Sequence, residues 1–225
     1  MIHVYHSGST GNLYRIGNLL IEAGVPIREI KKALGFRLSE IAGCLVSHEH
    51  GDHAKGVHDL LKAGVDCYMG HETAAGIGVK GHRVHIVKPM DPFMVGDWKV
   101  LPFPLVHDVE NLGFLMAKGK AKVLYATDTN YIPFRFNGLT HIMLGVDYDS
   151  AVLKRNVLAG HIDPARASRT LTQHMSLQTA LGFFRANDMS KVQEIHILHL
   201  SNANSDEKKF KEEIERATGR PVYIA

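Results

Sequence analysis

The sequence predicts an α+β fold in which sheets are covered by helices. Three observations point to it. Strand-like and helix-like segments interleave, with a meander of strands in the middle of the chain. Hydrophobic residues make up 45% of the 225 and charged residues 22%, enough for a packed core. The apolar run "IAGCLV" reads as a strand buried on both faces, and it runs straight into "SHEHGDH".

In chain order, "IHVY", "LYRI" and "NLLIEAG" read as strands, the first two separated by the turn "HSGSTGN". "PIREIKKALG" is a helix with Pro at its start and Gly at its end. "GCLVS" is a buried strand, and "AKGVHDLLKAG" is a helix with Val57, Leu60 and Leu61 on one face. "VDCYM" is a strand and "HETAAGIG" a short helix. The strands "RVHIV", "WKVLPFPLV", "LGFLMAK", "AKVLYATD" and "THIMLGV" follow, with Gly, Pro and Asp turns between the earlier ones. The chain from Tyr148 to Asn187 is mostly helical, with Ser176 expected as an N-cap. "EIHILHLS" is a late strand. "SDEKKFKEEIERATG" is a helix with Ser205 expected as N-cap and Gly219 at its end, and "PVYIA" closes as a strand. No linker or repeat interrupts the pattern, so one domain spanning residues 1–225 is expected.

The net charge of +3 is compatible with an anionic substrate without demanding one. No apolar run reaches the ~20 residues of a membrane helix, and "MIHVYHSGST" does not read as a signal peptide, so a cytoplasmic protein with no membrane partner is expected. Cys44 and Cys67 are expected to be buried and reduced, and two cysteines are too few for a cysteine-built zinc site. The unusual count is 15 histidines, which favours a metalloenzyme.

The chemistry begins at His48, His50, Asp52 and His53. On an extended segment His48 and His50 point the same way, and a turn at Gly51 swings Asp52 and His53 toward a neighbouring point. Such a segment can begin two metal sites. Its imidazole and carboxylate donors suit zinc, manganese or iron. Glu49 points the opposite way and drops out.

This H-x-H-x-D-H pattern resembles the metallo-β-lactamase fold superfamily. The resemblance implies a four-layered αβ/βα sandwich and later ligands at the ends of apolar strands. His107 after "WKVLPFPLV", Asp128 after "KVLYAT" and His199 after "EIHIL" stand in the matching order. It further implies two divalent metal ions, zinc or manganese. His48, His50 and His107 would hold the first, and Asp52, His53 and His199 the second, with Asp128 between them. Asp128 stands where two-zinc β-lactamases of this fold commonly carry Cys, which favours a phosphodiesterase over a lactamase.

Within the superfamily, "SGSTGN", "LLIEAGVPIREIKKALG", "THIMLGVDYD" and "HLSNANS" are similar to the YycJ/WalJ branch, small proteins regarded as exonucleases. That similarity implies a nucleic-acid or nucleotide substrate, bound with help from Ser7, Asn12 and Asn202; His174, before a helix, resembles a phosphate-binding His of the tRNase Z and PhnP-like relatives. Asp52 and His174 would be catalytic, His174 as the acid that protonates the leaving oxygen. Two positions depart from the branch: Gly145 replaces the Glu of an E-S-N-Y-D-like run, and Asp147 its Asn. Arg135, Lys154, Arg155, Arg166 and Arg169 are candidates for phosphate contact. The expected function is cleavage of phosphodiesters, foremost as a DNA exonuclease, by hydroxide attack on phosphorus. The alternatives are a phosphodiesterase for a small or cyclic nucleotide, and an ester hydrolase of the glyoxalase II or lactonase kind. A homodimer is compatible with the sequence.

Overall fold

The computed structural model describes residues 2–201 and 203–225, so Asn202, expected at the substrate, lies outside the described residues. The chain forms two compact units. The first runs to Pro104 and includes Val109–Phe114; the second comprises Leu105–Asp108 and Leu115–Ala225.

The first unit holds a six-stranded sheet in the order β1 (Ile2–His6), β2 (Leu13–Ile16), β3 (Leu19–Ile21), β4 (Gly43–Leu45), β5 (Cys67–Met69) and β6 (Val84–Ile86). The pairs β1/β2 and β2/β3 are antiparallel, and β3 through β6 are parallel. Every residue of β3 and β4 is buried, as their unbroken apolar runs require. Four helices accompany these strands: α1 (Ile27–Ala33), α2 (Gly51–Ala54), α3 (Val57–Lys62) and α4 (His71–Ile77). Ile30 of α1 and Val57 and Leu60 of α3 join Leu20, Val46 and Met69 in one buried cluster. Cys44 and Cys67 are register partners on β4 and β5, buried and unbridged. A hairpin of β7 (Phe93–Val95) and β8 (Trp98–Leu105) turns through Gly96 and Asp97. The segment of β7, too short to show a period, was not expected.

β9 (Asn111–Lys118) leads into the second unit, where β10 (Ala121–Ala126), β11 (His141–Gly145), β12 (Glu194–Leu198) and β13 (Val222–Ile224) pair in parallel, in that order. Leu124, Ile142, Leu144, Ile195 and Ile197 are all fully buried. Four helices belong here: α5 (Ser150–Leu158), α6 (Pro164–Gln173), α7 (Leu177–Ala186) and α8 (Glu207–Thr218). α8 buries Phe210 and Ile214 from an otherwise charged helix, worth about 1.5–3 kcal/mol each.

The N-caps correct one expectation. Asp149, Asp163 and Ser176 cap α5, α6 and α7 through side-chain oxygens. For α8 the cap is Asp206, not Ser205: Asp206 accepts from Lys209 N at 3.0 Å. Ser205 Oγ instead donates to Ser201 O at 2.7 Å. Two cap-competent residues stand in a row, and the one already committed to the preceding turn yields the role. Gly219 ends α8 in the left-handed region, as expected. No described helix is long and apolar enough to cross a membrane.

Candidate metal centre

In the first unit, the chain leaving β4 delivers Ser47, His48 and His50, and His50 stands at the start of α2, which carries Asp52 and His53. His48 and His53 are fully buried, and His50 and Asp52 partly so. His48 Nε2 and His50 Nδ1 lie 3.2 Å apart. Two imidazoles on one tetrahedral zinc, each at ~2.0–2.1 Å, would bring their nitrogens to roughly this separation. Ser47 Oγ meets the other His48 nitrogen, Nδ1, at 2.8 Å and so orients the ring. His53 Nε2 lies 3.5 Å from Asp52 Oδ2. Glu49 lies on the other side, its carboxylate against Gly76 of α4.

Two buried residues brace this segment. Glu22, just past β3, is fully buried; its Oε2 accepts from Ser47 N at 3.3 Å and lies 3.6 Å from His53 Nδ1. Asn12 is also fully buried. Its amide nitrogen reaches Asp52 O at 3.1 Å and His53 Nε2 at 3.1 Å. Its Oδ1 accepts from Gly8 N and from Tyr14 OH. Asn12, expected at the substrate, thus stands behind the ligands and ties the "SGSTGN" turn to them. Ser7 lies on that turn, half-buried, with its Oγ 3.2 Å from Tyr14 OH. The turn closes against a glycine: a Cβ on Gly24 would sit 1.6 Å from Asp52 O.

In the second unit, three adjacent parallel strands deliver functional groups just past their C-terminal ends, where parallel sheets place their ligands. Asp128 follows β10, Asp147 follows β11 and His199 follows β12. His174 joins them from the residue after α6. Ligand atoms of Asp128, Asp147, His174 and His199 all lie within 4.8 Å of one another. Asp147 Oδ1 lies 2.7 Å from His199 Nδ1 and 3.0 Å from His174 Nδ1. The His174 and His199 rings stack at 5.7 Å, and His107 meets His174 edge-on at 6.1 Å.

Burial acts to raise the pKa of Asp147, but the charges and hydrogen bonds of His174 and His199 overcome it and hold the carboxyl below the usual range. Burial likewise opposes charge on His174. The charge and hydrogen bond of Asp147, with the charge of Asp128, outweigh it and raise the imidazole above its ordinary value.

Five described residues other than glycine have positive φ, and three of them are Glu22, Asp128 and His199. Each such conformation costs of order 1–3 kcal/mol and persists where surroundings over-determine it. The other two, Phe36 and Met90, are exposed.

Glu22 and Asp147 had no site role in the sequence reading. The signal available for both was an acid directly after an unbroken apolar strand, "LLIE" and "MLGVD". At Gly145, where the resembled branch carries Glu, a Cβ would come within 2.8 Å of Thr127 Oγ1. The carboxylate of this chain sits two residues later, on Asp147.

The donor set of imidazoles and carboxylates fits divalent metal ions. The chain belongs to the β-lactamase superfamily: the family model described as "Beta-lactamase superfamily domain" matches residues 17–197. The fold is the expected metallo-β-lactamase type, and with this donor set it defines a metal-dependent hydrolase. Among curated relatives, the chain is 29% identical over 150 residues to "Exodeoxyribonuclease YycJ" of Bacillus anthracis, a match covering 60% of this chain and 57% of the relative. It is 25% identical over 222 residues to "Exodeoxyribonuclease WalJ" of Streptococcus pneumoniae serotype 2 (strain D39), covering 88% and 81%. Among solved structures, it superposes on the metallo-β-lactamase fold protein YhfI from Bacillus subtilis with a TM-score of 0.75 at 17% identity, covering 100% of this chain and 95% of the other.

Proposed function

We propose that residues 1–225 act as a single hydrolase domain, a two-metal phosphodiesterase whose substrate is DNA, cut from a strand end. His48, His50 and His107 would hold one ion, Asp52, His53 and His199 the other, and Asp128 would serve both. Zinc and manganese are the candidate metals. Such ions, when bound, acidify water and neutralise charge on a phosphate. The relatives named as exodeoxyribonucleases support the substrate class.

The observation that carries the reading is the pair of imidazoles on Asp147. One carboxylate oxygen holds a ligand histidine, His199, and a histidine beside it, His174. With His174 Nδ1 turned to Asp147, Nε2 is the nitrogen that would carry a proton to the departing oxygen. A phosphodiester needs such an acid, because its leaving alkoxide is a strong base. Asp147 keeps both rings oriented, while Glu22 and Asn12 brace Asp52 and His53.

The test is turnover of 5′-labelled DNA with manganese and with zinc, beside bis(p-nitrophenyl) phosphate, cyclic nucleotides and thioester and lactone substrates. DNA cleavage that disappears in both Asp128→Asn and His50→Ala is expected. Cleavage that persists in both, or turnover of thioesters or lactones alone, overturns the reading.

A further inference from the structure

We propose that the α5–α6 hairpin is the arm that binds the phosphate backbone of a nucleic-acid strand and leads it to His174. The proposal rests on the reading of the site as a nucleic-acid phosphodiesterase. Residues 150–173 contain Lys154, Arg155, Arg166 and Arg169 against the single acid Asp163. Four cations less one carboxylate leave +3, which equals the formal charge of the whole chain, so the rest of the chain balances to zero.

These four cations are exposed. None of their side chains has an ion-pair or hydrogen-bond partner among the described residues. On α8 two of the four cations are paired: Lys208 faces Glu212, and Lys209 faces Asp149 and Glu213, and acids alternate with all four along that helix. An unneutralised cluster of this kind is the electrostatic footprint of a polyanion site.

The hairpin is anchored beside the candidate site. Asp147 N donates to Met175 O at 2.9 Å, and Leu177 N donates to Tyr148 O at 2.8 Å, which ties its two ends together. Tyr148, Leu153, Ile162 and Ala167 form its own small core. On α6, Arg166, Arg169 and Gln173 stand at i, i+3 and i+7, a single face. At 1.5 Å per residue, Arg166 and Arg169 lie about 12 Å and 7.5 Å along the helix from His174, the length of a few nucleotide steps. Such contacts would set position without reading sequence.

An anionic membrane would also attract this charge, but a surface-lying helix needs a continuous apolar face with large side chains. The exposed large apolar side chains of the hairpin are two, Leu158 at the end of α5 and Leu171 on α6, on separate helices and so not one continuous face.

The test measures binding of a fluorescein-labelled phosphorothioate single strand to the metal-loaded full chain by anisotropy, across a sodium chloride series. The variant K154Q/R155Q/R166Q/R169Q is compared with K118Q/K120Q/K208Q/K211Q, which removes the same charge from exposed positions elsewhere in the second unit. The pair R166Q/R169Q alone serves if the fourfold variant unfolds. The hairpin variant is expected to bind at least about tenfold more weakly, with a salt slope shallower by roughly 3, and the control to bind like the parent. Equal loss in the control, unchanged binding in the hairpin variants, or pelleting with phosphatidylserine vesicles without strand binding overturns the proposal. Hydrolysis of bis(p-nitrophenyl) phosphate separates the two readings. A parent that hydrolyses it without binding the strand defeats the arm alone. A parent that binds the strand through the hairpin yet cleaves no phosphodiester defeats the nuclease reading alone.

Discussion

Asp147 offers one carboxylate oxygen to His199 at 2.7 Å and to His174 at 3.0 Å. A carboxylate behind a ligand imidazole fixes its tautomer and raises its basicity, and its loss typically costs 10–100-fold in metal affinity. Asp147→Ala should therefore weaken metal retention by roughly that factor in a chelator competition, and Asp147→Asn, which keeps an acceptor, by less. Unchanged retention in Asp147→Ala would remove the positioning role. In the first unit, Asn12→Ala strips a buried amide that braces Asp52 and His53, and should cost about 1–3 kcal/mol in urea unfolding. The candidate ligands stand out in the sequence because four of them crowd six positions and the other three follow apolar strands in a matching order. Glu22 and Asp147 were not, because a lone acid after a strand reads equally well as the first residue of a turn. Only the left-handed backbone at Glu22 and the convergence of three strand ends show that these acids turn inward.

At the scale of elements, helix ends carry the testable energetics. Asp206→Ala should destabilise by about 0.5–2 kcal/mol through loss of the α8 cap, and Ser205→Ala by less; the reverse order would restore the cap to Ser205. Sequence alone could not choose between adjacent cap-competent residues, since the choice depends on the turn at Ser201. The α5 cap makes a pH prediction. Asp149 is fully buried, and burial acts to raise its pKa; the Lys209 hydrogen bond at 2.6 Å, with those from Ala151 N and Val152 N, overcomes this and lowers it. A group with a depressed folded pKa stabilises fully above its unfolded value near ~3.9, and that stabilisation is lost as pH falls through the folded value. Asp149→Asn should therefore unfold less steeply with acid below about pH 4 than the parent, by thermal midpoint, while starting less stable at neutral pH. Parallel pH profiles would contradict this.

For the whole molecule, each of the two units presents donors: His48 beside His50 and His53, and His53 beside Asp52, in the first, and the convergent set Asp128, Asp147, His174 and His199 in the second. The superfamily was legible through the H-x-H-x-D-H motif, and the α+β class and most strands because buried parallel strands have unbroken apolar runs; β7 was missed because three residues show no period. The division into two compact units has no sequence signature, since no linker marks it. With both donor sets loaded, this chain would hold two metal ions for phosphodiester cleavage. Metal content of the manganese- or zinc-loaded protein, by inductively coupled plasma mass spectrometry, tests it most directly. About two ions per chain are expected, and about one in His50→Ala. Fewer than one ion in the parent, or the same content in parent and variant, would contradict it.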